Sequence, residues 1–393
     1  MSRDQSSRRT GPIRLRLTGA GWLFLLISVL VGLAAIKSNA SLLFVLFGAM
    51  MGAMVFSCVV ARRSVGGVDL RRDIPSRVWQ NQTVHLGYYL RNRRRRTPCL
   101  GLGVQEVTPV GIEGVAGYCL HLPPLTTFRA GARFTAQRRG AIELRQARVG
   151  TVFPFGLVSA YRHIEAPADM IVWPAKGKLT RQLLRRGAVE TSSAAPSGDS
   201  GGQDEFFGLR DYRPGDAPRW IHWRKSATRN MPVVREMARP VPEVLWVIVD
   251  TYLADGSEPG PQVSERMLRL GATLVDYAFS RGYQVGVALG SGDEAVSLAP
   301  AAGLAPHHRA LDALAQAKPN EHLRLGEVVA KIRFAQIRKA QVIVIAPQAA
   351  SLDAAALAQL RRNCRHLAVV DEGRIESVFQ DDPTALQQEA RCP

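Results

Sequence analysis

Asp216 and His222 are the residues whose types and spacing come closest to a chemical device, a carboxylate and an imidazole that could trade a proton. They lie in the stretch Glu205 to Glu236, EFFGLRDYRPGDAPRWIHWRKSATRNMPVVRE, the densest cluster of unusual residues in the chain. No nucleophile or oxyanion device accompanies them, which weakens a catalytic reading. Asp216 also has a plainer use. Pro214 and Gly215 suit the middle positions of a type II turn, Asp216 then takes an N-cap, and Pro218 falls in a first helical turn. The pattern predicts a short helix from about Ala217 to Thr228 that buries Trp220, Trp223 and Ala227. Arg219, Arg224 and Lys225 fall off that face and could reach an acidic partner or Asp211. Three uses compete: a structural junction, a docking surface made of Arg210, Tyr212, Arg219, His222, Trp223 and Arg224, and an acid/base pair. Arg and Trp dominate binding hot spots, which favours the docking surface as the functional use.

The segment from 243 to 380 alternates strands and helices. Val244 to Val249 is an apolar run ending in Asp250, the pattern of a buried parallel strand. Helical periodicity follows over Ser264 to Arg281, then a strand over Tyr283 to Leu289, helices over Leu304 to Ala317 and Leu325 to Arg338, a strand over Gln341 to Ala346, a helix over Leu352 to Arg361 and a strand over His366 to Val370. This order predicts a doubly wound α/β sheet. Ligands bind such sheets at the carboxyl ends of strands, so Asp250 is the natural metal candidate. No phosphate loop or dinucleotide fingerprint occurs, which argues against nucleotide hydrolysis by this chain and against a bound cofactor.

Before the cluster, residues 68–167 change to the alternation of strands, with Val84, Leu86, Tyr88 and Leu90 on one side, and Leu100, Leu102, Val104, Ile142 and Leu144 repeating it. A small β-sandwich is expected. Arg91 to Arg96 lies between two of these strands and reads as a solvated hairpin tip; the lack of interleaved aromatic residues argues against nucleic acid. Phe153-Pro154-Phe155-Gly156-Leu157 and Val172-Trp173-Pro174 read as fixed turns that end strands. Residues 187–203, rich in Ser, Ala and Gly, read as a linker, and 204–242 as the segment carrying the cluster.

At the N-terminus, a basic segment 1–16 precedes two apolar stretches within 17–61, Leu17 to Ile36 and Ser38 to Ala61, each long enough for a hydrocarbon core of roughly 30 Å. Only Lys37 to Ala40 connect them, so they form a tight transmembrane hairpin. Arginines flank its outer ends, against one lysine in the connection, which places both termini in the cytoplasm. Gly48, Gly52 and Ala53 offer a small-residue face for close packing of the two helices. Much of the net charge of +18 is thereby assigned to anionic lipid headgroups. The five cysteines are odd in number, scattered and never CxxC, which argues against disulfides and zinc.

With GLRDYRPGDAPRWIHWRKSA at Gly208 to Ala227, the Pro154 to Leu157 and Val172 to Pro174 segments and the tight hairpin with Asn39 in its turn, the chain resembles the bacterial membrane proteins called the domain of unknown function 58 family. The resemblance implies a C-terminal domain similar to a von Willebrand factor A domain, an inner-membrane location, association with AAA+ ATPases of the MoxR type, and cell-envelope functions. Such domains bind a divalent metal through an Asp-x-Ser-x-Ser loop. Here the loop reads Asp250-Thr251-Tyr252-Leu253-Ala254, with Tyr252 and Ala254 in place of both serines, so no intact metal site is expected. The expected function is a non-enzymatic membrane-anchored adaptor for a MoxR-type partner; the alternative is a membrane-bound hydrolytic enzyme using Asp216 and His222.

Overall fold

The computed structural model describes residues 11–107, 112–114, 117–180, 183, 205–214, 216, 218, 221–229, 231–238, 243–252, 261–320, 322–338, 340–347 and 352–381. The expected linker 187–203 therefore lies outside the described residues. A short strand β1 (Arg14–Leu17) leads into α1 (Gly19–Ser38), and α2 (Ser41–Gly66) follows after Asn39 and Ala40. Thr18 caps α1, its Oγ1 accepting from Gly21 N at 2.9 Å, and Asn39 ends it in the left-handed region at φ 49°. Both helices are long and apolar enough to cross a membrane. Leu23, Leu26, Leu30, Leu33, Leu42, Val45 and Val55 are exposed along them, a surface suited to lipid. The small-residue face is not where the helices meet. A Cβ added at Gly48 or Gly52 would touch nothing, whereas one at Gly32 would stand 3.0 Å from the Phe47 ring. An aromatic side chain of α2 laid over a glycine of α1 sets the approach.

Next come β2 (Val68–Asp73), β3 (Arg77–Trp79), β4 (Thr83–Asn92), β5 (Cys99–Glu106), β6 (Ile112–Gly114), β7 (Gly117–Leu122), β8 (Thr127–Ala136), β9 (Gly140–Thr151) and β10 (Val158–Trp173). One sheet runs β2-β4-β8-β6 and the other β1-β10-β9-β5-β7, with β3 parallel to the end of β10. Leu70, Leu86, Tyr88, Leu90 and Phe134 from the first share a core with Leu102, Val104, Val149, Ile164 and Met170 from the second. The strand alternation seen in the sequence delivers these side chains to the inside. Since β4 and β5 belong to different sheets, Arg93 to Pro98 is a crossover between sheets and not a hairpin tip. β10 continues to Trp173, with a register shift between Glu165 and Ala168 where Pro167 interrupts the ladder.

After β11 (Gly177–Leu179), β12 (Glu205–Asp211), α3 (Trp223–Arg229) and β13 (Val233–Ala238), the C-terminal unit contains β14 (Val244–Val249), α4 (Pro261–Ser280), β15 (Gln284–Ser291), β16 (Glu294–Ala301), α5 (Leu304–Gln316), α6 (Leu325–Ala330), α7 (Phe334–Ile337), β17 (Gln341–Ile345), α8 (Ala354–Asn363), β18 (His366–Val370), α9 (Glu372–Val378) and β19 (Phe379–Asp381). Its sheet has the order β16-β15-β14-β17-β18, parallel except for the antiparallel edge β16. Leu245, Val247 and Val249 face Leu268, Leu311, Leu314 and Ile375 on one side; Trp246 and Ile248 face Val328, Val329, Ile337 and Leu360 on the other. Layers on both faces explain the uniformly apolar strands.

Two sequence expectations change here. The single helix over Leu325 to Arg338 is split into α6 and α7, because Ile332 and Ile337 are both buried under the sheet and five residues of continuous helix would point them to different faces. The edge strand β16 carried a usable signal, the two-residue Gly292-Asp293 turn with Gly292 at φ 59° between paired Ser291 and Glu294. Pro300 and half-exposed side chains hid it.

The α/β unit is docked on one end of the β-domain. Arg77 forms an ion pair with Asp312 at 2.8 Å, Trp173 Nε1 donates to Asp312 Oδ1 at 2.8 Å, and Lys176 pairs with Asp276 at 2.8 Å. Arg139 binds Glu265 through two hydrogen bonds of 2.8 Å and donates to the carbonyls of Ala315 and Ala317 at the end of α5. β11 pairs with β19, closing the C-terminal unit onto the segment that leaves β10.

Candidate partner-binding surface

The unusual cluster folds as an antiparallel pair, β12 with β13, whose register slips between Phe206 and Gly208. Between the strands, Arg213 and Asp216 close a turn reciprocally: Asp216 N donates to Arg213 O at 3.0 Å, and Arg213 N donates to Asp216 Oδ2 at 2.9 Å. Pro214 lies within it, as the sequence predicts. Gly215, Ala217, Arg219 and Trp220 lie outside the described residues, as does the side chain of Arg210, whose backbone pairs with Val234.

The helix starts later than its sequence suggests, at Trp223 instead of Ala217. The cause is tertiary. Ile221 forms a bridge with Val234 and His222 N donates to Val233 O at 2.8 Å, so these residues are held in strand-like pairing and the helix can begin only beyond them. Asp216 is thus not the cap of this helix. His222 takes that position: its carbonyl accepts from Lys225 N and Ser226 N, each at 3.0 Å, and its Nδ1 faces Lys225 N at 3.4 Å. Ser226 fastens the helix to the pair, accepting from Val233 N at 2.8 Å and donating to His222 O at 3.1 Å. Asp216 and His222 are each engaged in local backbone contacts of this kind.

The expected burial of Trp223 is overturned: its side chain is 69 % exposed, and Ala227 is exposed as well. α3 begins at Trp223 and is pinned through Ser226, and the tryptophan at its start is left in solvent. Tyr212, Leu209 and Met231 are exposed elsewhere in the same segment, and Arg224 and Lys225 are exposed on the helix. The segment presents a large indole, smaller apolar groups and cations on a hydrogen-bonded frame.

Asp250 marks a second site, at the end of β14 between β15 and β17, where the strand order reverses. It is 2 % exposed. Oδ1 accepts from Tyr252 N at 3.0 Å, Oδ2 has no hydrogen-bond partner among the described residues, and burial raises the carboxyl pKa to about 6. Thr251 is committed elsewhere, donating to Gly290 O at 2.7 Å and accepting from Asn320 Nδ2 at 2.6 Å. Among the described residues no group of three His, Cys, Asp or Glu could hold a metal, and Ala254 lies outside them. Among the described residues Asp250 is therefore the one acidic side chain at this strand end, with Tyr252 standing where the resemblance places a serine.

Two apolar N-terminal helices, a domain of two sheets with one core and a mixed sheet layered by helices define the class: a multidomain α/β protein whose anchor is compatible with a membrane. Residues 208–375, from the exposed cluster into α9, match the model of a family described as a protein of unknown function, DUF58. No curated protein matches the sequence.

Proposed function

We propose that this protein is a non-enzymatic, membrane-anchored adaptor. α1 and α2 span a bacterial inner membrane with both chain ends in the cytoplasm, and the β-domain and a von Willebrand factor A-like α/β domain stand on that side. The partner is an AAA+ ATPase of the MoxR type acting in a cell-envelope process, and its docking surface is the β12–α3–β13 segment. The observation that carries this reading is the exposure of Trp223. A tryptophan left in water on a pinned helix, with Tyr212 and Arg224 exposed in the same segment, has the composition of a binding hot spot without a structural duty to the core.

The test is Trp223→Ala with Arg224→Ala in the full-length chain, titrated against a purified MoxR-type ATPase. Loss of a hot-spot tryptophan weakens affinity at least about 30-fold, the equivalent of about 2 kcal/mol. A folded double variant that binds as tightly as the parent removes this surface from the interaction.

A further inference from the structure

The β9–β10 connection, Val152 to Leu157, is fastened to the hairpin. Thr18 N donates to Leu157 O at 3.0 Å, and Thr18 Oγ1 donates to the carbonyls of Leu157 and Gly156. Gly21, in the first turn of α1, lies so close that an added Cβ would overlap the Leu157 carbonyl oxygen. Phe155 reaches farther, its ring centroid 6.5 Å from that of Phe56 in α2. Phe56 precedes Arg62 by six residues, or about 9 Å of helix at 1.5 Å per residue. Phe155 therefore stands well inside the apolar span, yet it is 57 % exposed and Val152 is 53 % exposed. Trp22, also exposed, lies in the same turn of α1 as Gly21.

The arginine run lies at this end too. Arg93 N donates to Gly67 O at 2.8 Å, one residue past α2, and the Arg94 side chain lies against Gly66 and Gly67. Arg95 and Arg96 are exposed. Apolar side chains level with the span and cations level with its end make up the profile of a surface resting in a bilayer interface.

We infer that this end of the β-domain is seated in the lipid leaflet, with Val152 and Phe155 at the acyl-chain boundary and Arg95 and Arg96 at anionic headgroups, Arg93 being held by its ion pair with Asp69. The inference rests on the reading of α1 and α2 as membrane-spanning. It makes the β-domain a spacer of fixed attitude. β9 runs twelve residues from the Gly140 end, where the α/β unit docks, to Thr151 at the leaflet, and at about 3.4 Å per residue its length limits the height of that contact to roughly 40 Å.

The test places the photocrosslinking residue benzoylphenylalanine at position 155, at position 45 in mid-α2 and at position 304 on α5, in the full-length chain in nanodiscs containing phosphatidylglycerol. Lipid adducts are expected at 155 and 45 and none at 304. Adducts at 45 with none at 155, or only protein adducts at 155, overturn the seating and leave the hairpin standing. No adducts at 45 overturn the hairpin and the inference with it. Position 152 replaces 155 should that variant misfold. For the cations, amide exchange over residues 93–98 should slow in anionic discs relative to discs of phosphatidylcholine alone, and Arg95→Glu with Arg96→Glu should abolish the difference. Equal protection in both lipids overturns the headgroup contact.

Discussion

Replacing Asp250 by Asn should remove a pH dependence that the wild-type fold carries. The carboxyl is buried, with one oxygen unpartnered among the described residues, and burial raises its pKa from 3.8 to about 6. The folded state therefore holds the proton more tightly than the unfolded chain does. The resulting stabilisation is complete below the unfolded pKa and is lost as pH rises through about 6. A shift of this size corresponds to about 3 kcal/mol in total, of which about 1.4 kcal/mol disappears between pH 5 and pH 7.5. Asn keeps an oxygen for Tyr252 N but places an NH₂ where Oδ2 has no partner among the described residues, costing about 1–3 kcal/mol at every pH. The signature is thus the slope and not the offset. Urea unfolding of the detergent-solubilised chain, followed by hydrogen exchange in peptides containing β14 and β17, would be measured for both proteins from pH 5 to 7.5. The wild type should lose about 1.4 kcal/mol more than Asp250→Asn over that range, with other carboxylates cancelling in the difference. Parallel profiles would refute the buried carboxyl with its raised pKa. A profile flattened by millimolar Mg²⁺ would refute the expectation that the loop after Asp250 holds no intact metal site.

Two further perturbations test the frame. Arg139→Ala should loosen the docking of the α/β unit on the β-domain, because the guanidinium is 8 % exposed and serves both Glu265 and the last carbonyls of α5. Breaking a buried pair costs about 3–5 kcal/mol, reduced to about 2 here because Glu265 retains water contact, so amides at the α5–β9 seam should exchange about 30-fold faster. In the hairpin, Gly32→Leu should clash with Phe47 and lower the detergent melting temperature, whereas Gly48→Ala and Gly52→Ala meet open space and should raise it, each relieving up to about 1 kcal/mol of glycine penalty. A drop on Gly48→Ala would show that the second helix packs through its small-residue face after all.

Much of the architecture was legible one segment at a time. The runs Val244 to Val249 and Gln341 to Ala346 read as strands of a doubly wound sheet, apolar because layers cover both faces, and strands formed over Val244–Val249 and Gln341–Ile345. The two apolar stretches read as helices, and the family motif at Gly208 to Ala227 pointed to the domain matched over residues 208–375. The candidate site was only half legible. Its residue types signalled a binding surface, but helical spacing alone put Trp223 in a core.

What the sequence by itself determined was which residues seek burial along each element and with what period. What the tertiary structure decided was everything set by residues remote in the chain. Val233 and Val234 hold Ile221 and His222 in strand-like pairing and so turn Trp223 outward. Ile332 and Ile337 both seek the sheet and so break one helix into two. Leu157 is bound by Thr18, 139 residues earlier, and so brings a β-turn to the level of the apolar helices. Periodicity measures a local preference for burial. The partner that supplies the burial is chosen only when distant segments meet.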